Sequence, residues 1–255
     1  MSYAYIPEPN QPETEIVVPK GQAIAGQAIG IVVIDIWYPL VPGNVANATT
    51  FNFPVMFKVL KGASVEKILC GDPALLSPLI EGAKELIQQG ARAIVGACGS
   101  FAYYQKAAAS VLEVPTFLSV MLQVPLILQG LKPNQRLGIF SASASALTPR
   151  VFEQCNITDP SRLAITEAHN LPEFQVLSSC MGRLNSKKLE QQVVEHMQRF
   201  VRDNPDIGAI LIQCSDLPPY AWAIQNAVKL PIFDMNSLIN WVYHAVVRQP
   251  YGGHL

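Results

Sequence analysis

Charge is scarce in this sequence. Lys, Arg, Asp and Glu together make up 15% of its 255 residues, and the formal net charge is -1. Without a block of Lys and Arg there is no surface for a phosphate backbone, so nucleic acid is not an expected partner. Long apolar runs are missing as well. The run 28–34 is far shorter than the roughly 20 residues of a membrane-spanning helix, so no membrane is expected. The amino terminus, MSYAYIPEPNQPETE, lacks the basic and apolar regions of a secretory leader. The five cysteines form no CxxC pair, which argues against a zinc site or a disulfide framework. His169, His196, His244 and His254 show no metal-ligand spacing, and no GxGxxG or P-loop pattern occurs. The expectation is a cytoplasmic protein with free thiols, no metal and no cofactor. His196 reads as a solvated helix-face residue and His244 as a structural one.

Apolar residues, by contrast, make up 50% of the chain, enough for a large buried core. Residues 1–28 carry Pro7, Pro9, Pro12 and Pro19 and read as an extended arm that wraps the body or a partner subunit, which leaves room for a homo-oligomer. From Ile29 the pattern alternates. Residues 29–34 form a β-branched run suited to a strand buried on both faces. Residues 65–70 read as a second strand, 73–89 as a helix stopped by Gly90, 91–97 as a strand, 101–112 as a helix and 115–118 as a strand. The second half repeats this order, with strands at 136–140, 208–213 and 231–233 and helices at 188–201 and 219–228. Alternation of this kind implies an α/β fold with parallel sheets. The expected division is 29–118 plus 234–255 for one α/β domain and 119–233 for the other, with the site in the cleft between them.

A shift of 116 residues superimposes two segments without a gap. Ala93, Ile94, Cys98, Tyr104, Ala107, Pro115 and Phe117 meet Ala209, Ile210, Cys214, Tyr220, Ala223, Pro231 and Phe233, seven identities in 25 positions. Average residue usage would give roughly two. Internal symmetry of this kind implies two copies of one unit. In each copy a cysteine stands where a buried strand ends and a helix begins. Ligands bind at that end of a parallel sheet, and free N–H groups at a helix start are expected to lower a thiol's pKa toward neutrality. Two matched thiols across a cleft suit 1,1-proton transfer, in which one removes a proton from a carbon and the other returns it on the opposite face. Cys70, Cys155 and Cys180 lack this placement and read as packing residues.

The stretches GARAIVGACGSF (90–101), VPTFLS (114–119), AILIQCSDL (209–217) and LPIFD (230–234) resemble the aspartate/glutamate/hydantoin racemase superfamily. The resemblance runs from about Ile29 to the carboxyl terminus. It implies two pseudo-symmetric α/β domains, catalysis by Cys98 and Cys214, and no pyridoxal phosphate, nucleotide or metal. It also implies that the groups after each cysteine, here Gly99, Ser100, Ser215 and Asp216, hold the substrate carboxylate. The sequence departs from the family pattern. Gly99-Ser100 stands where Asn-Thr is usual, Ser215-Asp216 where Thr-His is usual, and 35–44 replaces a glycine-rich or Asp-Ser turn. Asp216 disfavours an anionic side chain on the substrate, so a hydantoin or a less polar amino acid fits better than glutamate or aspartate.

The expected partner is therefore a small molecule with a carboxylate or imide carbonyl, and the expected activity is racemisation or epimerisation at its α-carbon. Further substrate contacts are expected from Asn44 in the loop after the first strand, from Ser141 and Ser143 at the corresponding place in the second half, and from Ser119; Gln123 is a weaker candidate. Each of these also suits a turn or helix cap. The rival readings are an enzyme like maleate isomerase or arylmalonate decarboxylase on the same scaffold, and a non-catalytic two-lobed binding protein.

Overall fold

A computed structural model describes residues 18, 20–249 and 251–252. Most of the expected 1–28 arm lies outside the described residues. The chain opens with β1 (Ile29–Ile34), whose six residues are all buried, followed by β2 (Val55–Leu60), α1 (Val65–Cys70) and α2 (Leu76–Gln88). Then come β3 (Ala93–Gly96), α3 (Gln105–Ala109), β4 (Thr116–Phe117) and α4 (Val124–Gly130). The second half runs β5 (Arg136–Ser141), α5 (Pro149–Gln154), β6 (Leu163–Glu167), α6 (Pro172–Ser178) and α7 (Ser186–Asp203). It ends with β7 (Ile207–Ile212), α8 (Ala221–Val228), β8 (Ile232–Phe233) and α9 (Met235–Val246).

The strands form two parallel four-stranded sheets, ordered β2-β1-β3-β4 and β6-β5-β7-β8. The α/β class expected from alternation is the one observed. The repeat extends to hydrogen-bond register. Gly30 lies opposite Ile94 and Gly138 opposite Ile210. Ile94 pairs with Thr116 and Ile210 with Ile232, each pair being 116 residues from its counterpart. In each sheet the chain leaves the first strand toward one neighbour and returns on the other side. The carboxyl ends of β1 and β3, and of β5 and β7, are therefore switch points that open a crevice.

Burial follows the period of two along the second sheet. Leu137 and Ile139 of β5 and Ala209 and Leu211 of β7 join one continuous core with the first sheet. Phe140, Ile210 and Ile212 face the other way, onto Leu177 of α6, Leu189, Val193 and Met197 of α7 and Ile224 of α8. From α9, Met235, Leu238, Ile239 and Val242 pack into the first core, beside the first sheet. Among the described residues, no helix is long and apolar enough to cross a membrane.

The expected second strand at 65–70 is a helix instead. Ser64 accepts from the Lys67 N–H at its start, and Gly71 ends it at φ 65°. A six-residue segment with four apolar residues cannot by itself distinguish strand from helix, whereas a serine cap and a left-handed glycine can. The real second strand, β2, follows Phe51 and Phe53. His196 is not solvated: its Nε2 lies 2.6 Å from Thr166 Oγ1 and its ring stacks on Phe140, and burial lowers its pKa. His244, expected to be structural, is exposed on α9.

Candidate active site

Cys98 follows β3 in extended conformation (φ -158°, ψ 131°) and starts a 3-10 turn over Gly99–Tyr104. Cys214 follows β7 in the same way. The Phe101 N–H donates to the Cys98 carbonyl at 3.1 Å, and the Leu217 N–H, 116 residues later, donates to the Cys214 carbonyl at 3.3 Å. The two turns touch. Ser215 Oγ donates to the Ala97 carbonyl at 2.8 Å, so the residue after one cysteine holds the residue before the other. Gly99 lies against Gln213 so closely that a Cβ there would stand 2.5 Å from the Gln213 carbonyl oxygen. A glycine is required at that crossing because any side chain would push the halves apart.

Both thiols open into one cavity of about 260 Å³ between the halves. Gly99, Ser100, Ser143, Ser215 and Asp216 line it with them. Its apolar walls come from Ile34, Val65, Ile68, Leu69 and Phe174. Asn44 is absent from the wall but donates through Nδ2 to Asp216 Oδ1 at 2.7 Å. Two expected contacts are committed elsewhere. Ser119 Oγ donates to the Gly99 carbonyl at 2.6 Å, bracing the first cysteine turn from behind. Ser141 Oγ is shared between the Ser143 carbonyl and Gln213 Oε1, both at 2.9 Å. Both serines are fully buried and support the site from outside the cavity. Gln123 donates to the Asp234 carbonyl and does not line the cavity.

Tyr38 belongs to the site although no sequence pattern points to it. Its hydroxyl lies 2.9 Å from both oxygens of Asp216, a residue 178 positions away. Tyr38 and Asn44 belong to the loop after β1, so the first half reaches across the cleft to hold a carboxylate of the second. Asp35, the acid at the end of β1, turns away and accepts from the Gly62 N–H at 2.9 Å.

The thiols are not lowered toward neutrality, contrary to the expectation from helix starts. Burial pushes Cys98 from 9.0 up to about 11, even though the backbone and hydroxyl of Ser100 and the Phe101 N–H favour its thiolate. Cys214 is raised further by burial and by the Asp216 carboxylate beside it, whose Oδ2 is 3.7 Å from its sulfur. Burial also raises Asp216, against the lowering effect of the Tyr38 and Asn44 hydrogen bonds. Desolvation of a charged group in this cavity outweighs the partial charge of a single short turn. Among the described residues, no group of three or more His, Cys, Asp or Glu is placed to hold a metal ion.

Several solved structures share this architecture. Allantoin racemase from Pseudomonas fluorescens superimposes with a TM-score of 0.57 at 10% identity, over 86% of this chain and 91% of that one. Unliganded arylmalonate decarboxylase gives 0.56 at 14%, over 88% and 94%. An aspartate racemase homologue from Pyrococcus horikoshii OT3 gives 0.54 at 14%, over 86% and 99%. This chain shares the fold of these racemases and of the decarboxylase.

In sequence, the chain is similar to a group of lyases. It is 27% identical over 241 residues to dimethylsulfoniopropionate lyase 3 of Emiliania huxleyi (strain CCMP1516), covering 89% of this chain and 61% of that protein. It is 25% identical over 243 residues to the dimethylsulfoniopropionate lyase of Durusdinium sp. clade D, covering 92% and 80%. The chain thus spans about 61% of the length of the Emiliania lyase. No family model matches the sequence. The proteins similar to this chain in sequence and in fold include lyases, racemases and a decarboxylase, all of them enzymes.

Proposed function

We propose that this protein abstracts a proton from a carbon next to a carboxylate, with Cys98 as the base and Cys214 as the matched thiol across the cavity, and that the reaction ends in β-elimination. The observation that carries the reading is the convergence of two matched thiols, one from each half, on a single cavity. Racemisation and elimination share the same first step, removal of the α-proton. They differ in the fate of the electron pair left on carbon: racemisation returns a proton to it, and elimination uses it to expel a leaving group.

Two features favour elimination. The first is similarity to dimethylsulfoniopropionate lyases over about nine-tenths of the chain. The second is that the thiols are not equivalent. Burial and the Asp216 carboxylate oppose ionisation of both thiols; Asp216 weighs more on Cys214, while the hydrogen bonds from Ser100 and Phe101 favour the Cys98 thiolate. Racemisation in both directions needs two exchangeable bases; elimination needs one.

Cys98 as thiolate takes the α-proton. The C–H electron pair becomes the new carbon–carbon double bond, the β-carbon–sulfur bond breaks, and its electron pair leaves with the sulfur. From dimethylsulfoniopropionate this yields acrylate and dimethyl sulfide. Cys98, now a thiol, returns its proton to solvent. We assign the substrate carboxylate to Gly99, Ser100 and Ser143, which line the cavity with the two thiols. A positive charge on the substrate favours the thiolate and offsets the cost of ionising a buried thiol.

Racemisation of an amino acid or hydantoin is the second reading, and the cysteine retained at the matched position 214 favours it. One experiment separates the two. The protein is incubated in deuterium oxide with dimethylsulfoniopropionate and, separately, with both enantiomers of common amino acids and 5-substituted hydantoins. Release of dimethyl sulfide, lost in Cys98→Ala, is the expected result. Enzyme-dependent α-deuteration of an amino acid or hydantoin without elimination would replace the lyase reading by the racemase one.

A further inference from the structure

The Asp216 carboxylate has donors but no ion-pair partner among the described salt bridges. Among the described residues, no Lys or Arg lines the cavity, and the one basic side chain in its wall is His169. A half-buried carboxylate facing a partly open, largely apolar cavity has less water to screen it than one on the surface, so its charge is costly unless a positive group arrives.

The hydrogen bonds narrow the kind of cation. A carboxylate offers about four lone-pair sites. Oδ1 accepts from the Tyr38 hydroxyl at 2.9 Å and from Asn44 Nδ2 at 2.7 Å. Oδ2 accepts from the same Tyr38 hydroxyl at 2.9 Å and from the Cys214 thiol at 3.7 Å. The hydroxyl has a single proton to share between the two oxygens, so three donors engage three of the four sites. A primary ammonium carries three N–H donors and would find at most one free acceptor on this carboxylate. A tertiary sulfonium or quaternary ammonium has no N–H to satisfy and needs only charge and apolar contact. Tyr38 and Phe174 supply aromatic faces in the same cavity, and Ile68 and Leu69 supply aliphatic ones.

We propose that Asp216, with three of its four lone-pair sites taken by Tyr38, Asn44 and Cys214, is the binding site for an alkylated onium group, and that it selects such substrates over primary amines. The inference rests on the elimination reading for the identity of the substrate. The cation site itself rests on geometry and is tested without turnover.

The purified protein is titrated by calorimetry with trimethylsulfonium and tetramethylammonium, and with methylammonium and tert-butanol as controls. Both onium ions are expected to bind at least tenfold more tightly than either control. Asp216→Asn keeps the shape, removes the charge and is expected to lose that preference. Tyr38→Phe keeps the charge but frees lone pairs, so methylammonium should gain relative to the onium ions. Equal onium binding by wild type and Asp216→Asn overturns the proposal. So does methylammonium binding as tight as trimethylsulfonium, or no onium binding at all. If onium binding holds while no dimethyl sulfide is released, the lyase reading fails and the cation site stands. Elimination that survives Asp216→Asn with unchanged KM has the opposite meaning.

Discussion

Behind Cys98 stand hydrogen-bond donors: the Ser100 backbone and hydroxyl and the Phe101 N–H. Behind Cys214 stands a carboxylate, Asp216, held by Tyr38 and Asn44. The backbones around the two thiols repeat each other strand for strand and register for register. A duplicated scaffold supplies two thiols at equivalent places, and the residues one and two positions later decide whether they remain chemically equivalent. At those positions Gly99-Ser100 in one half faces Ser215-Asp216 in the other. The divergence lies in the turns after the strands, where side chains can change without disturbing a buried sheet.

The sharpest break of this comparison is removal of each thiol in turn. If Cys98 alone is the base, Cys98→Ala should slow elimination by about 10³-fold or more, and Cys214→Ala by at most about 10²-fold. Headspace gas chromatography of dimethyl sulfide reads both. Equal losses would mean that the two thiols act as interchangeable partners, as in a two-base racemase.

The next test is ionisation in the ligand-free protein. The thiolate is the form present above the pKa, so ultraviolet absorbance of Cys98 thiolate should rise as pH passes through about 11, not near 9.0. Cys214 should ionise after it, because Asp216 adds repulsion to burial. Cys214→Ser and Cys98→Ser proteins, titrated separately, assign each step. Reversal of that order would remove the asymmetry on which the base assignment stands.

The contact between the halves gives a smaller effect. Gly99→Ala places a methyl 2.5 Å from the Gln213 carbonyl oxygen. Backbone cannot rotate away as a flexible side chain can, and overpacking of this kind costs about 1–3 kcal/mol. The midpoint of thermal unfolding should fall by about 2–10 °C. An unchanged midpoint would mean that the crossing of the cysteine turns is looser than the structure has it.

Much of the scaffold was legible in the chain because repetition shows itself without knowledge of contacts. Ile94 and Ile210, Pro115 and Pro231, and the two cysteines share one offset, and the observed strand pairings keep it. The helix at 65–70 was misread because its apolar run is too short to show a period; its signal lay in Ser64 and Gly71 at the ends. The serines at 119 and 141 fall at the ligand end of the sheets, as expected, but their hydroxyls point into backbone and Gln213 instead of the cavity. Tyr38 left no trace in any pattern. Its role depends on a loop crossing to a residue 178 positions away, and only three-dimensional placement reveals that. The one available hint was the unusual loop 35–44 itself, long and rich in aromatic and proline residues at a switch point.

The smallest expected effect concerns stability, and it runs against function. Burial raises Asp216 above its ordinary carboxylate value. A folded-state pKa above the unfolded one favours folding while the group is protonated. That contribution is complete below the ordinary carboxylate range and is lost as pH rises through the raised value. A charge on Asp216 is therefore accommodated more easily by the unfolded chain than by the native protein. Asp216→Asn removes this burden and should stabilise the protein by about 1 kcal/mol at neutral pH, with no gain in strong acid, where the aspartate is already neutral. Urea unfolding of both proteins at the two pH values reads the difference. A gain at neutral pH together with loss of onium binding would show that the carboxylate is kept for its ligand at the expense of the fold. A loss of stability would show instead that its hydrogen bonds to Tyr38 and Asn44 outweigh the buried charge, making Asp216 a clasp between the halves first and a cation site second.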